Sequence, residues 1–341
     1  MNTIYELDSE YQAKLDWAER FVSEQVEPVD HLVQHAWDLS DPVRQALIPP
    51  LQDEVRAQGL WATHLSPELG GAGFGQLKLS LLNEIVGRTR SGPIVFGIQA
   101  PDSGNGEILA HYGTPELKER FLAPLLENRI VSCYAMTEPQ GGSDPTEFTT
   151  SAVLDGDSWV INGEKWFCSF ARFAAVHIVL AVTDPAAPRH RRTSMFVVPA
   201  DTPGVEIVRN VGVWGHDYDE GTHAYMRFSD VRIPRDYMLG GIGDGFEVAQ
   251  TRLGGGRIHH AMRTVGLVKA SLAMMAERAQ SRTVGGGLLG DKQLIREMIA
   301  DSWIELTQFR LLLLHTAWLI DQKGDYRAVT KEIAAVKATM P

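Results

Sequence analysis

The sequence predicts an α+β protein laid out as three successive segments: helical, then β, then helical again. Apolar residues recur at helical spacing up to about residue 130 and again beyond Gly245, whereas between Ile130 and Gly240 the apolar period is two. A single helix bundle would have no reason to carry an inserted sheet. The expected boundaries are 1–130 for an N-terminal all-α domain, 131–241 for a middle antiparallel β-domain, and 242–341 for a C-terminal helix bundle, incomplete where the sequence stops at Pro341.

Each element follows from its own signals. Tyr11, Leu15, Ala18, Val22 and Val26 step by three or four and make one face of a first helix, with Pro28 marking its end. Ser40-Asp41-Pro42 is a cap followed by proline and opens a second helix running towards Gly59, with Pro49-Pro50 as a candidate interruption. A third helix covers Leu77 to Gly87. Thr114-Pro115-Glu116 opens a short helix with Leu117 and Phe121 inward, which Pro124 should end or kink. In the middle segment Trp159 and Ile161, Val176 to Val182, Met195 and Val197, and Ala224 to Phe228 alternate between turns such as Asp155-Gly156-Asp157. Phe246 to Ala279 reads as one long helix broken or kinked near Gly254-Gly255-Gly256. Lys292 to Asp321 reads as another, with Ile295, Met298 or Ile299, Ile304, Leu306, Phe309, Leu313 and Ala317 on its apolar side. Gly285-Gly286-Gly287 links the two, and a last helix starts near Tyr326.

Composition removes several functions. A net charge of -11 with no basic segment leaves no electrostatic footprint for nucleic acid. Two cysteines, Cys133 and Cys168, make no disulfide scaffold and a poor zinc site, which fits a reducing compartment. The acidic, amphipathic N-terminus is unlike a signal or transit peptide, and no apolar run approaches the roughly 20 residues of a membrane span. A cytoplasmic location is expected.

The stretch YAMTEPQGGSDP, residues 134–145, raises a sharper question, because a strand-like approach stops in a turn dense with hydroxyls and glycines. Thr137 and backbone N–H groups freed by glycine suit the polar edge of a flat heterocycle or a phosphate. INGEKWFCSF, residues 161–170, adds an aromatic stacking face at Trp166 or Phe167 and a hydroxyl at Ser169. The competing structural reading is a Gly-Ser turn and an Asn162-Gly163 hairpin. Arg257-Ile258-His259-His260 places adjacent histidines about 100° apart on a helix, so they do not converge as metal ligands. Arg257 itself reads either as an arginine positioning a carbonyl or a carboxylate or as a cap for a broken helix. Arg282 reads either as a phosphate fork or as an exposed cation at a helix end. Trp214-Gly215-His216-Asp217-Tyr218-Asp219-Glu220 reads as a solvated loop. Hydrolase, kinase and nicotinamide signatures are missing.

Together these segments resemble the acyl-CoA dehydrogenase family of flavoproteins. Tyr134-Ala135-Met136-Thr137-Glu138-Pro139 with Gly142-Ser143-Asp144 resembles the family's first signature, and Ile161-Asn162-Gly163-Glu164-Lys165 with Phe167 and Ser169 its second. Phe228-Ser229-Asp230-Val231-Arg232-Ile233-Pro234 and Gly245-Phe246-Glu247-Val248-Ala249-Gln250 extend the match across nearly the whole chain. Gly255-Gly256-Arg257-Ile258-His259-His260 is similar to one branch, which handles branched or hydroxylated acyl chains.

The resemblance implies FAD bound against the β-domain and touched by Tyr134, Met136 and Thr137, with Gly142 and Ser143 near its diphosphate and the acyl-CoA. It implies Phe167 where the family usually has tryptophan, Ser169 near flavin N5, and Arg257 close to the thioester. It also implies Arg282 and Gln293 at the FAD of a neighbouring subunit, hence a homodimer or homotetramer. The implied reaction is α,β-dehydrogenation of an acyl-CoA: a carboxylate takes the α-proton, the β-hydride goes to flavin, and electrons pass to an electron-transfer flavoprotein. Three departures stand out. Gly256 occupies the position from which some members supply the base, the base is otherwise expected beyond Pro341, and Gly285-Gly286-Gly287 replace an aromatic and a lysine. The alternatives are a catalytically impaired short paralogue acting as a binding or partner subunit, and an acyl-CoA oxidase or flavin monooxygenase relative.

Overall fold

The computed structural model describes residues 7–69, 71–212 and 221–340. Its backbone gathers into two compact units, one of Met1–Ala36, Pro42–Ile98 and Gly254–Pro341, the other of Trp37–Asp41 and Gln99–Leu253.

In the first unit, α1 (Ser9–Phe21) is capped by Asp8, whose side chain accepts from Tyr11 N. The chain continues helically as a π-turn at Val22–Val26 and a last turn at Glu27–Val29, so Pro28 sits inside that turn, not at the end of the Val26 turn. Tyr11, Leu15, Ala18, Val22 and Val26 are all buried, as their spacing predicts. Helix α2 (Pro42–Ala57) runs unbroken through Pro49 and Pro50. Each proline removes one backbone donor, but Ile48, Leu51, Gln52 and Val55 bury the face on either side, and that packing carries the helix across. Helix α3 (Gly75–Val86) begins against Asp321, whose carboxylate accepts from Gln76 N and Leu77 N at 2.7 and 2.8 Å.

The second unit holds α4 (Asp102–Tyr112) and the Thr114-capped segment, where a π-turn at Lys118–Leu122 lets the helix continue through Pro124 to Leu126. Its sheet comprises β1 (Ser132–Ala135), β2 (Ser151–Asp155), β3 (Ser158–Ser169), β4 (Val176–Val182), β5 (Thr193–Pro199), β6 (Val205–Val211), β7 (His223–Pro234) and β8 (Met238–Leu239). The order is β6-β7-β3-β2-β4-β5-β8, with β1 attached to β4. Most pairs are antiparallel, but β1–β4 and the Ser151–Val182 contact of β2 with β4 are parallel, so the sheet is mixed. Alternation in a strand reports its faces and not its neighbour's direction, which is why sequence alone missed this.

Helix α5 (Gly245–Ser281) is continuous across Gly254-Gly255-Gly256, and it contributes residues to both units. Three glycines weaken a helix by about 1 kcal/mol each relative to alanine, a cost that burial of Ile258, Ala261, Met262 and Val265 just beyond them offsets. The glycine link forms a small hairpin, β9 (Thr283–Val284) with β10 (Gly287–Leu288). Helix α6 (Gln293–Lys323) buries Leu306, Phe309, Leu313 and Ala317, while Met298 and Ile304 on its first half are exposed. Helix α7 (Thr330–Thr339) follows a short turn at Tyr326–Val329 and adds Ile333 and Val336 to a core shared with Leu79, Ile258, Met262 and Phe309. Among the described residues no helix is long and apolar enough to cross a membrane.

Candidate functional site

The two motifs meet in the second unit. Past β1 the chain forms a tight bridge in which Glu138 N donates to Gly141 O and Gly141 N to Glu138 O, at 3.0 and 3.2 Å. The Glu138 side chain turns inward and forms an ion pair with Lys165 of β3. It also accepts from Thr149 N at 2.7 Å and Thr150 N at 3.0 Å, while Lys165 Nζ donates to Met136 O at 2.9 Å. Trp166 N donates to Thr137 O at 2.8 Å, tying the first motif to the second at one sheet end. Burial works against the Glu138 charge, but the Lys165 ammonium and the Thr149 and Thr150 donors outweigh it and hold the carboxyl below its ordinary value. Glu138 is thus a structural anchor beside Pro139.

The aromatic of the second motif is presented by a bulge. Lys165 pairs with Met226 and Cys168 with Ala224, so Trp166 and Phe167 together face the single residue Tyr225 of β7. Phe167 takes a φ of 55° and is 56% exposed. Trp166 packs under it against Tyr225 and Arg209. Two residues on, the Ser169 hydroxyl lies 2.8 Å from His223 Nδ1, and burial lowers that histidine.

Asn162-Gly163 is not a hairpin turn. Strand β3 passes straight through it, and the turn lies earlier, at Gly156. Asn162 bonds across to Asp230 through both its amide nitrogen and its oxygen, at 3.0 and 2.8 Å, which locks a second bulge. Gly163 is needed there because a Cβ would fall 2.6 Å from Thr150 Cα.

Met136 and Thr137 are half-buried, and Gly142 and Ser143 are exposed on the turn that Asp144 caps through Thr146 N. Among the described residues neither the Thr137 nor the Ser143 hydroxyl has a hydrogen-bond partner. Arg257, Arg282 and Gln293 belong to the first unit: Arg257 is half-buried on α5, Arg282 is exposed just past the end of α5, and Gln293 is exposed at the start of α6. In that unit the buried His259 ring nitrogen Nε2 lies 3.2 Å from Gln76 Oε1, while His260 is exposed. The loop 214–220 lies outside the described residues.

One residue escaped the sequence reading. Arg252 of α5 stacks on Tyr134, its guanidinium carbon 3.8 Å from the ring centroid, and its Nε donates to Asn105 Oδ1 at 2.8 Å. Nothing in its spacing marks it, since both partners are remote in sequence. Burial raises the Tyr134 phenol to about 12, so it stays protonated. The two thiols, Cys133 and Cys168, are free and buried.

Helices, a sheet with two signature segments joined at one end, and helices again define the acyl-CoA dehydrogenase-like fold. The family's N-terminal domain matches residues 8–129, its middle domain 133–231 and its C-terminal domain 243–341. The chain is 40% identical over 331 residues to acyl-CoA dehydrogenase family member 10 of Mus musculus, covering 94% of this chain and 31% of that protein. A probable acyl-CoA dehydrogenase of Mycobacterium tuberculosis is 38% identical over 306 residues, covering 89% of this chain and 74% of that one. A solved structure of a candidate acyl-CoA dehydrogenase from Mycobacterium abscessus superimposes with a TM-score of 0.90 at 38% identity, covering 99% of this chain and 86% of that one. The chain belongs to the acyl-CoA dehydrogenase family. It spans about a third of the length of the mouse relative.

Proposed function

We propose that this chain is the FAD-dependent, acyl-CoA-oxidising part of an acyl-CoA dehydrogenase, removing an α-proton and a β-hydride from a thioester. The observation that carries the reading is the joining of the two motifs: Trp166 N bound to Thr137 O, with Phe167 projecting from the bulge that follows.

The residues present fit a flat heterocycle. Phe167 offers an aromatic face that stays 56% exposed among the described residues. Among the described residues the Thr137 and Ser143 hydroxyls have no partner, and a Cβ on Gly142 would meet only Thr137 Cγ2, at 3.7 Å. The chain's own packing does not require glycine at 142, which suits a site where a ligand approaches the backbone.

In this reading Tyr134, Met136, Thr137, Phe167 and Ser169 hold the ring system, and Gly142 and Ser143 lie near the diphosphate and the acyl-CoA. FAD, when bound, supplies the two-electron acceptor. Ser169 is oriented by His223, so its hydroxyl presents a fixed donor or acceptor. Arg257 would lie near the thioester carbonyl, and none of these residues is given the role of base. Arg282 and Gln293 would reach the FAD of a second copy, making the assembly at least a homodimer. Electrons would leave to an electron-transfer flavoprotein in the cytoplasm. The functional division proposed is 1–130, 131–241 and 242–341.

Titrating the apoprotein with FAD while following flavin fluorescence tests the reading. Saturable quenching at one FAD per chain is expected. A protein that quenches no flavin would remove it.

A further inference from the structure

The flavin-contacting role given to Tyr134 leaves open why an arginine stands behind its ring. Arg252 is not placed by loose packing. Its Nε donates to Asn105 Oδ1, and Asn105, fully buried, donates through Nδ2 to Ser132 Oγ at 2.9 Å. Ser132 in turn donates to Asp102 Oδ1 through its N–H at 2.8 Å and its hydroxyl at 2.6 Å, while Gln99 Nε2 holds the other carboxylate oxygen at 3.1 Å. Helix α4 also clears the space: a Cβ on Gly104 would come within 3.1 Å of Arg252 Cγ. Three elements, α4, β1 and α5, therefore converge to fix one guanidinium plane over one ring.

A buried polar chain of this length is costly, and apolar side chains would support a tyrosine at least as well. Its distinguishing product is a positive charge held at a set place against the ring face, an attraction that strengthens as water is excluded. The charged or titratable groups facing Arg252 are Tyr134 and Cys133 from β1, and Asp102 and Glu107 from α4. Asp102 is occupied by Ser132 and Gln99. Glu107, half-buried, makes no hydrogen bond among the described residues and is the counter-charge left to moderate the arginine.

We propose that Arg252 is a positioning residue for the flavin reaction: it fixes the Tyr134 ring and holds a positive charge behind it that favours the reduced, more negative state of the bound cofactor. The inference rests on the flavin reading above. It assigns to Asn105, Ser132 and Asp102 the task of holding Arg252, and to Glu107 the task of limiting its effect.

The test compares wild type, Arg252→Gln, Arg252→Lys and Glu107→Gln. FAD affinity, the potential of bound FAD against a redox dye, and the melting temperature of the apoprotein are read for each. In R252Q the reduced-to-oxidised ratio at a fixed potential is expected to fall about tenfold, which is about 30 mV for a two-electron couple. R252K keeps the charge and should recover most of that ratio while losing the flat stack, and with it FAD affinity. Read at pH 8.5, where the Glu107 carboxyl is ionised, E107Q keeps the hydrogen-bonded chain and should move the ratio the opposite way, about threefold. A potential in R252Q equal to wild type, whatever its melting temperature, overturns the proposal by reducing Arg252 to a structural prop. If R252Q does not fold, an unchanged potential in E107Q at pH 8.5 overturns it instead. A wild-type chain that takes up no FAD sinks the flavin reading first, a result distinct from either of these.

Discussion

Lys165 Nζ lies 2.8 Å from Glu138 Oε1, with the two side chains 0% and 1% exposed. This pair joins the turn after β1 to β3, and so carries the first motif to the second. Removing one partner leaves the other charged and dry, which typically costs about 3–5 kcal/mol. Glu138→Gln is therefore expected to lose that much in urea unfolding and to weaken FAD binding. Glu138→Gln with Lys165→Met removes both charges and should recover most of the stability. The pH dependence has a definite sign. The folded Glu138 carboxyl lies below its unfolded value of about 4.5, so its contribution is present above that pH and is lost as the pH falls further.

Phe167 combines a left-handed backbone with an exposed side chain. A left-handed conformation costs a non-glycine residue roughly 1–2 kcal/mol, and little packing is there to repay it. Phe167→Gly should leave apoprotein stability unchanged or raised. FAD affinity should fall about fivefold, in line with an aromatic contact worth about 1 kcal/mol. Equal loss of stability and affinity would mean that Phe167 is a core residue.

Burial raises the Glu107 carboxyl from 4.5 to about 7 against the opposing pull of Arg252. Below about pH 4.5 folded and unfolded chains are both protonated there. Between 4.5 and 7 the folded chain holds the extra proton, so stability falls as the pH rises, and above 7 the loss is complete. Glu107→Gln should match wild type at pH 4.5 and exceed it at pH 8 by on the order of 2 kcal/mol. Thermal melts at the two pH values measure the difference.

In the first unit Glu84 is gripped by Lys269 Nζ at 2.6 Å and Arg310 Nε at 2.7 Å. Its carboxylate is nearly buried, whereas Lys269 is 39% exposed and can turn to water. Glu84→Gln should cost about 2 kcal/mol, mostly through Arg310. Lys269→Gln should cost less than half of that, as read by denaturant midpoints.

What the sequence made legible follows from range. The face of α1, the Thr114 cap and the strands of the middle segment are set by residues within a few positions of one another, and periodicity finds them. On residue chemistry the two motifs made a cofactor site only as one of two readings, and the resemblance chose between them, since the Glu138–Lys165 pair and the Trp166–Thr137 bond that join them are non-local. Where local signals misled, burial had overruled them. Pro49-Pro50 and Gly254-Gly255-Gly256 sit in continuous helices because the faces around them are packed, and Asn162-Gly163 is a bulge because Asp230 holds it. Arg252 was invisible because its meaning lies wholly in Tyr134 and Asn105.

Whether the joined motifs hold FAD for oxidation of an acyl-CoA is decided by anaerobic addition of saturated acyl-CoA thioesters to the FAD-loaded protein. Loss of the yellow flavin absorbance, with the matching enoyl-CoA formed in equal amount, is the predicted result. A protein that binds no FAD, or whose bound FAD keeps its colour with short, long and branched thioesters alike, would contradict it.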